Sequence, residues 1–246
     1  MSDSPWPRRI VVCCDGTWQS SVTSEDNIPS NVTKLARHIK RIGTDNKGKN
    51  YHQLVYYDSG VGTGSLSGLE KTRQGGTGDG LAENVIEAYN FIVLNYQPGD
   101  EIFCFGFSRG AYTARAVAGL VGDIGVLEPA DMQFFPELYR GYMQKKDTDD
   151  IKSTEAWRSY ERKRKSARNA KKAELGTDIP PTTIDTKVKV KVVGVWDTVG
   201  SLGVPDGRLR DNSGLRAKYG FHNVKLSRGA HIQQALFYIS LTLIRY

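Results

Sequence analysis

The 246-residue chain is predicted to fold as one α/β domain, a mostly parallel sheet flanked by helices. Three observations predict it. Apolar runs of strand length recur at residues 9–14, 53–57 and 102–107, and residues 187–195 alternate Lys with Val before becoming apolar. Segments with apolar residues at helical spacing separate them, so the first 121 residues alternate strand, helix, strand, loop, helix, strand, helix, an order that calls for crossover connections between parallel strands. Each run also ends in a cluster of turn-forming residues, where an open parallel sheet holds its ligands.

In chain order, Arg9-Ile10-Val11-Val12-Cys13-Cys14 reads as a short buried strand ending at Asp15-Gly16-Thr17. The amide of Thr17 or its neighbour is a candidate oxyanion donor, and Asp15 a candidate for orienting the loop through its backbone; an ordinary Asx turn fits the same residues. After a turn at Ile28-Pro29-Ser30, residues 31–39 place Val32, Leu35, Ala36 and Ile39 on one helical face, with His38 beside it as a rim residue. Residues 53–57 form a second strand. The glycine-rich run from Asp58 to Gly80 reads as a mobile loop over the site; it lacks the Gly-Lys-Ser/Thr ending of a phosphate loop, so no nucleotide site is assigned.

Leu81, Val85, Ala88, Ile92 and Leu94 mark a helix over residues 81–95. It leads into residues 102–107, an almost unbroken apolar run suited to a strand buried on both faces. After Gly110 the period changes, with Ala111, Ala114, Ala118 and Val121 at helical spacing. Between the two lies Gly106-Phe107-Ser108-Arg109-Gly110, the G-x-S-x-G pattern in the strand-to-helix context it demands. A serine there has its hydroxyl pushed out at the C-terminal edge of the sheet, beside helix N-terminal amides that can face a developing negative charge. Ser108 is the candidate nucleophile, and the amide at Arg109 a candidate oxyanion donor.

Residues 131–184 break the rhythm. Phe134, Phe135, Leu138, Tyr139 and Tyr142 come early and a basic run late, as expected of a helical insertion covering the C-terminal edge of the sheet. After Pro180-Pro181 a strand over residues 187–195 ends at Trp196-Asp197-Thr198. An acid at a strand end downstream of the serine gives the order Ser, Asp, His of an α/β-hydrolase triad, and makes Asp197 the candidate acid.

Between Arg140 and Lys191 there are 15 Lys or Arg against 8 Asp or Glu, a surplus equal to the +7 of the whole chain. Arg162-Lys163-Arg164-Lys165, with Arg168, Lys171 and Lys172, lacks interleaved aromatic residues. It reads as a solvated helix or partly disordered insertion, with peripheral contact to an anionic membrane surface as the sharper reading; nucleic acid is disfavoured. No apolar run is long enough to span a membrane and no signal-peptide pattern opens the chain, so with three cysteines in buried strands a cytoplasmic setting is expected. The scattered histidines and cysteines lack ligand spacing, so neither metal nor cofactor is expected. Arg109 and Arg115 read first as packing ion pairs and second as attractors of a phosphate group.

Five segments together resemble the α/β-hydrolase family related to type VI secretion phospholipase effectors. They are Cys14-Asp15-Gly16-Thr17, Asn31-Val32-Thr33-Lys34-Leu35, Tyr57-Asp58-Ser59-Gly60-Val61-Gly62-Thr63, Gly106-Phe107-Ser108-Arg109-Gly110-Ala111-Tyr112-Thr113-Ala114-Arg115 and Val195-Trp196-Asp197-Thr198-Val199-Gly200. The resemblance implies esterase or phospholipase-like acyl hydrolysis by a Ser-His-Asp triad, with an ester or phospholipid substrate. Where the family pattern has a histidine before Ala-Leu, this chain has Gln234. His231, three residues earlier and one helical turn away, is the preferred base and His222 the alternative, while a structural role for both stays open. The sequence after Leu236 departs from the pattern and reads as an aberrant or truncated C-terminus. A catalytically degenerate, hydrolase-like binding protein is the competing reading.

Overall fold

The computed structural model describes residues 6–16, 29–60, 79–145, 150–176, 188–196 and 232–238. Six strands form one sheet: β1 Arg8–Cys14, β2 Ile42–Thr44, β3 Asn50–Asp58, β4 Glu101–Phe107, β5 Val190–Trp196 and β6 Ile232–Tyr238. Their spatial order is β2-β3-β1-β4-β5-β6, antiparallel between β2 and β3 and parallel elsewhere. Cys14 pairs with both Asp58 and Gly106, and Gly106 with Val195, so four strands reach the same edge in register. That edge carries the turns after β1, β3 and β4.

Among the described residues the α-helices are α1 Asn31–His38, α2 Asp79–Asn95, α3 Arg109–Ile124, α4 Phe135–Gln144 and α5 Glu155–Leu175. The two-residue period of the strands divides the apolar residues between two faces. Ile10, Val12, Cys14, Ile102, Cys104, Val190, Val193 and Val195 pack with α2 and α3, whereas Val11 and Cys13 pack with Val32 of α1 and with Phe103, Phe105 and Trp196. Ala111, Ala114 and Ala118 are fully buried, small residues that let α3 lie close to the sheet. Cys13, Cys14 and Cys104 are free and buried; burial pushes the thiols of Cys13 and Cys104 up to about 12 and that of Cys14 well up too, which leaves them packing groups.

Three local readings change. The strand expected at residues 53–57 is Asn50–Asp58, because it also pairs with β2 across a turn in which Lys47 and Lys49 donate their N–H groups to Asp45 Oδ1. The helical insertion is present, but its described contacts run along α2 and α3 and not to the strand ends. Phe135 stacks on Tyr89 of α2 at 4.7 Å, and Tyr142 Oη donates to Asp123 near the end of α3 at 2.8 Å. Residues 232–238 are strand β6, not the helical turn that put His231 and Gln234 on one face, since parallel pairing with β5 overrides the helix-favouring Gln-Gln-Ala-Leu composition. Most of the glycine-rich loop and the strand expected at residues 221–226 lie outside the described residues.

Candidate active site

At the end of β4 the chain turns at Ser108, with φ 52° and ψ −118°, the only non-glycine residue of positive φ among the described residues. Such a conformation costs on the order of 1–3 kcal/mol and persists only where the surroundings impose it. Here they do so from two sides. The Ser108 N–H donates to the Trp196 carbonyl at 3.1 Å, which ties the elbow to the last residue of β5, and the Ala111 N–H donates to the Ser108 carbonyl at 3.1 Å, which closes the first turn of α3.

Gly110 explains the second half of the motif. A Cβ there would lie 2.1 Å from the Cys14 carbonyl oxygen, so only glycine lets α3 start against the end of β1. Gly16 shows how near the β1 turn comes: a Cβ on it would stand 3.2 Å from Ser108 Cβ. The Asp15-Gly16 turn and the serine elbow are therefore neighbours across the strand ends.

Asp15 holds that turn. Its residue is 1 % exposed, and its carboxylate accepts four hydrogen bonds: the Gly16 N–H at 2.8 Å, Ser30 Oγ at 2.7 Å, Thr33 Oγ1 at 2.6 Å and Tyr57 Oη at 2.8 Å. Ser30 also caps α1 by accepting from the Thr33 N–H at 2.9 Å. One carboxylate thus joins the β1 turn, the start of α1 and the end of β3. Sequence spacing does not mark Ser30, Thr33 and Tyr57 as site residues, because they bond Asp15 from 15, 18 and 42 positions away.

Asp58 is a second carboxylate at this edge. Its carbonyl accepts from the Asp15 N–H at 2.8 Å; its side chain accepts from the Gly60 N–H at 3.0 Å and from Asn84 Nδ2. Burial raises its carboxyl above the usual carboxylate range, with the Gly60 hydrogen bond opposing and Glu87 adding to the rise. Arg109, directly after the serine, is half-buried, and desolvation lowers the pKa of its guanidinium.

Of the residues expected at the site, the structure brings Ser108, Arg109 and Asp15 to one edge. Thr17, Asp197, His222 and His231 lie outside the described residues. Among the described residues no group of three or more His, Cys, Asp or Glu is arranged to hold a metal, and no helix is long and apolar enough to cross a membrane.

A mostly parallel sheet with a strained serine elbow after its central strand defines an α/β-hydrolase-like domain. More narrowly, the chain belongs to the family described as T6SS, Phospholipase effector Tle1-like, catalytic domain, whose profile matches residues 8–242. It is similar to the uncharacterized protein YEL023C of Saccharomyces cerevisiae, at 25% identity over 224 residues covering 85% of this chain. The chain spans 29% of the length of that relative. No solved structure matches it.

Proposed function

We propose that this domain hydrolyses carboxylic esters, phospholipids among them, with Ser108 as nucleophile. Ser108 Oγ attacks the ester carbonyl carbon while a histidine takes its proton. The tetrahedral oxyanion is held by backbone N–H groups at Arg109 and near Thr17; as it collapses, the alcohol leaves with the proton from the imidazolium. Water then attacks the acyl-serine, with the same histidine as base, and releases the acid. Asp197 fixes the imidazole tautomer and stabilises the imidazolium.

One observation carries this reading: Ser108 sits at φ 52° between β4 and α3, with the Asp15-Gly16 turn packed beside it. Membership in a phospholipase effector family supports the substrate class. The Trp196 carbonyl accepts from the Ser108 N–H, and Asp197 follows Trp196 in sequence, which supports the acid assignment.

For the base, His231 is preferred and His222 is the alternative; both lie outside the described residues, and their variants decide between them.

The test is hydrolysis of short-chain and long-chain acyl esters and of phospholipids by the purified chain, beside Ser108→Ala, Asp197→Asn, His222→Ala and His231→Ala. Ser108→Ala is expected to reduce turnover by at least about 10³-fold and to abolish labelling by a fluorophosphonate, and Asp197→Asn to lower kcat by about 10⁴-fold. His231→Ala should match the serine variant and His222→Ala should not; the opposite result would make His222 the base. A folded protein that neither turns over any ester nor takes the label would refute the reading and leave a hydrolase-like binding domain.

A further inference from the structure

We infer that α3 and α4 enclose an oxyanion site centred on Arg115, and that it takes a phosphate group. Tyr112, Arg115, Gly119 and Asp123 follow one another at helical spacing along one face of α3. The α4 helix crosses this face, since a Cβ on Gly119 would lie 3.4 Å from Tyr142 Oη, which itself donates to Asp123. Arg115 is 8 % exposed and Tyr139 of α4 is 4 % exposed. Arg115 Nε and Tyr139 Oη are both buried with no hydrogen-bond partner among the described residues, and Arg115 has no carboxylate at ion-pair distance among them.

Two buried donors of this cluster, Arg115 Nε and Tyr139 Oη, are therefore left over among the described residues. Asp123, the carboxylate on this face of α3, is engaged by Tyr142. Burial pushes the Tyr112 hydroxyl up to about 12 despite the opposing pull of Arg115, and burial together with Tyr112 raises Tyr139, so both remain protonated at neutral pH. Desolvation lowers the pKa of Arg115, as expected for a cation lacking a counter-charge. A buried guanidinium without an anion is costly, and burying the pair is tolerated when a charge-assisted, bidentate partner completes it. A phosphate has oxygens for the guanidinium fork and further acceptors for a tyrosine hydroxyl.

The position relates this site to the elbow. Arg115 lies seven residues beyond Ser108, about 10 Å along the helix, and a helical side chain leans back towards the N-terminus, hence towards the serine. Two sources can supply the phosphate, the headgroup of a glycerophospholipid substrate or a free phosphate ion. The headgroup case rests on the ester-hydrolase reading above; the anion site itself does not.

The test compares the full chain with Arg115→Met, which keeps the bulk and removes the charge. Without ligand, the variant is expected to melt at the same temperature as the wild type or a few degrees higher, since about 1 kcal/mol moves a domain of this size by roughly 2–4 °C. Inorganic phosphate should raise the melting temperature of the wild type and not of the variant if the site takes the free ion. If it takes the headgroup, Arg115→Met should lower kcat/KM for phosphatidylcholine or phosphatidylglycerol vesicles by about 10–100-fold relative to a neutral p-nitrophenyl ester, with the neutral ester unaffected.

Either phosphate result supports the inference. A variant that melts lower, with no phosphate shift in the wild type and unchanged selectivity, overturns it and gives Arg115 a carboxylate of the chain itself. Loss of all ester turnover would sink the hydrolase reading alone, because the melting arm still decides the anion site.

Discussion

Asp15 and Arg115 are both buried charges on elements that meet at the serine elbow, Asp15 in the turn beside Ser108 and Arg115 two helical turns along α3. The first accepts four hydrogen bonds from three different elements, whereas the second keeps a buried Nε with no acceptor among the described residues. The difference separates two uses of a buried charge. A carboxylate surrounded by donors is an internal tie: it fixes the β1 turn against the elbow without help from any ligand. A guanidinium whose buried Nε has no acceptor among the described residues points to a group that arrives from outside them.

The largest effect that would break this comparison is on the satisfied side. Asp15→Ala strands the Gly16 N–H and three hydroxyls around a void, and is expected to destabilise the protein by about 3–5 kcal/mol, read as a lower midpoint in urea unfolding at unchanged slope. Arg115→Met under the same conditions should cost nothing or stabilise. Equal losses in the two variants would erase the distinction. A smaller change sharpens it: Tyr57→Phe removes one donor of four and should cost about 1 kcal/mol. Because Tyr57 Oη also lies 2.9 Å from Thr33 Oγ1, the Tyr57 and Thr33→Val changes are expected to be non-additive in a double-mutant cycle.

The two charges also differ in how far the sequence announces them. The elbow is legible because three signals coincide within twenty residues, an apolar run, a glycine-flanked serine and a switch to helical period. Asp15 is visible as a strand-end turn residue, but its partners are not. Ser30 looks like a helix cap, which it also is. Thr33 is a small polar residue in a helix whose apolar positions absorb the pattern, and Tyr57 is the last aromatic residue of a strand; only the fold shows that all three hydroxyls converge. Short elements fail for a related reason. Three residues of β2 cannot display a period, and β6 has a composition that suits a helix until pairing with β5 decides it. The insertion was legible as helical from its aromatic spacing, yet the face it covers depends on Phe135 finding Tyr89 and Tyr142 finding Asp123, contacts between segments far apart in sequence.

Asp58 stands between the two extremes, and offers the finest test. Its carboxylate accepts from the Gly60 N–H and from Asn84, yet burial still outweighs these and raises its pKa in the folded protein above the usual carboxylate range. For an acid, a raised folded pKa means that the native state binds the proton more tightly than the unfolded state, so stability falls as pH rises from the ordinary carboxylate value through the raised one. Asp58→Asn removes that titration. The wild type should therefore lose stability relative to Asp58→Asn as the pH climbs from about 4 towards neutrality, measured as the difference between their urea midpoints at each pH. Parallel profiles would mean that the hydrogen bonds from the Gly60 N–H and Asn84 already offset the burial of the Asp58 carboxylate.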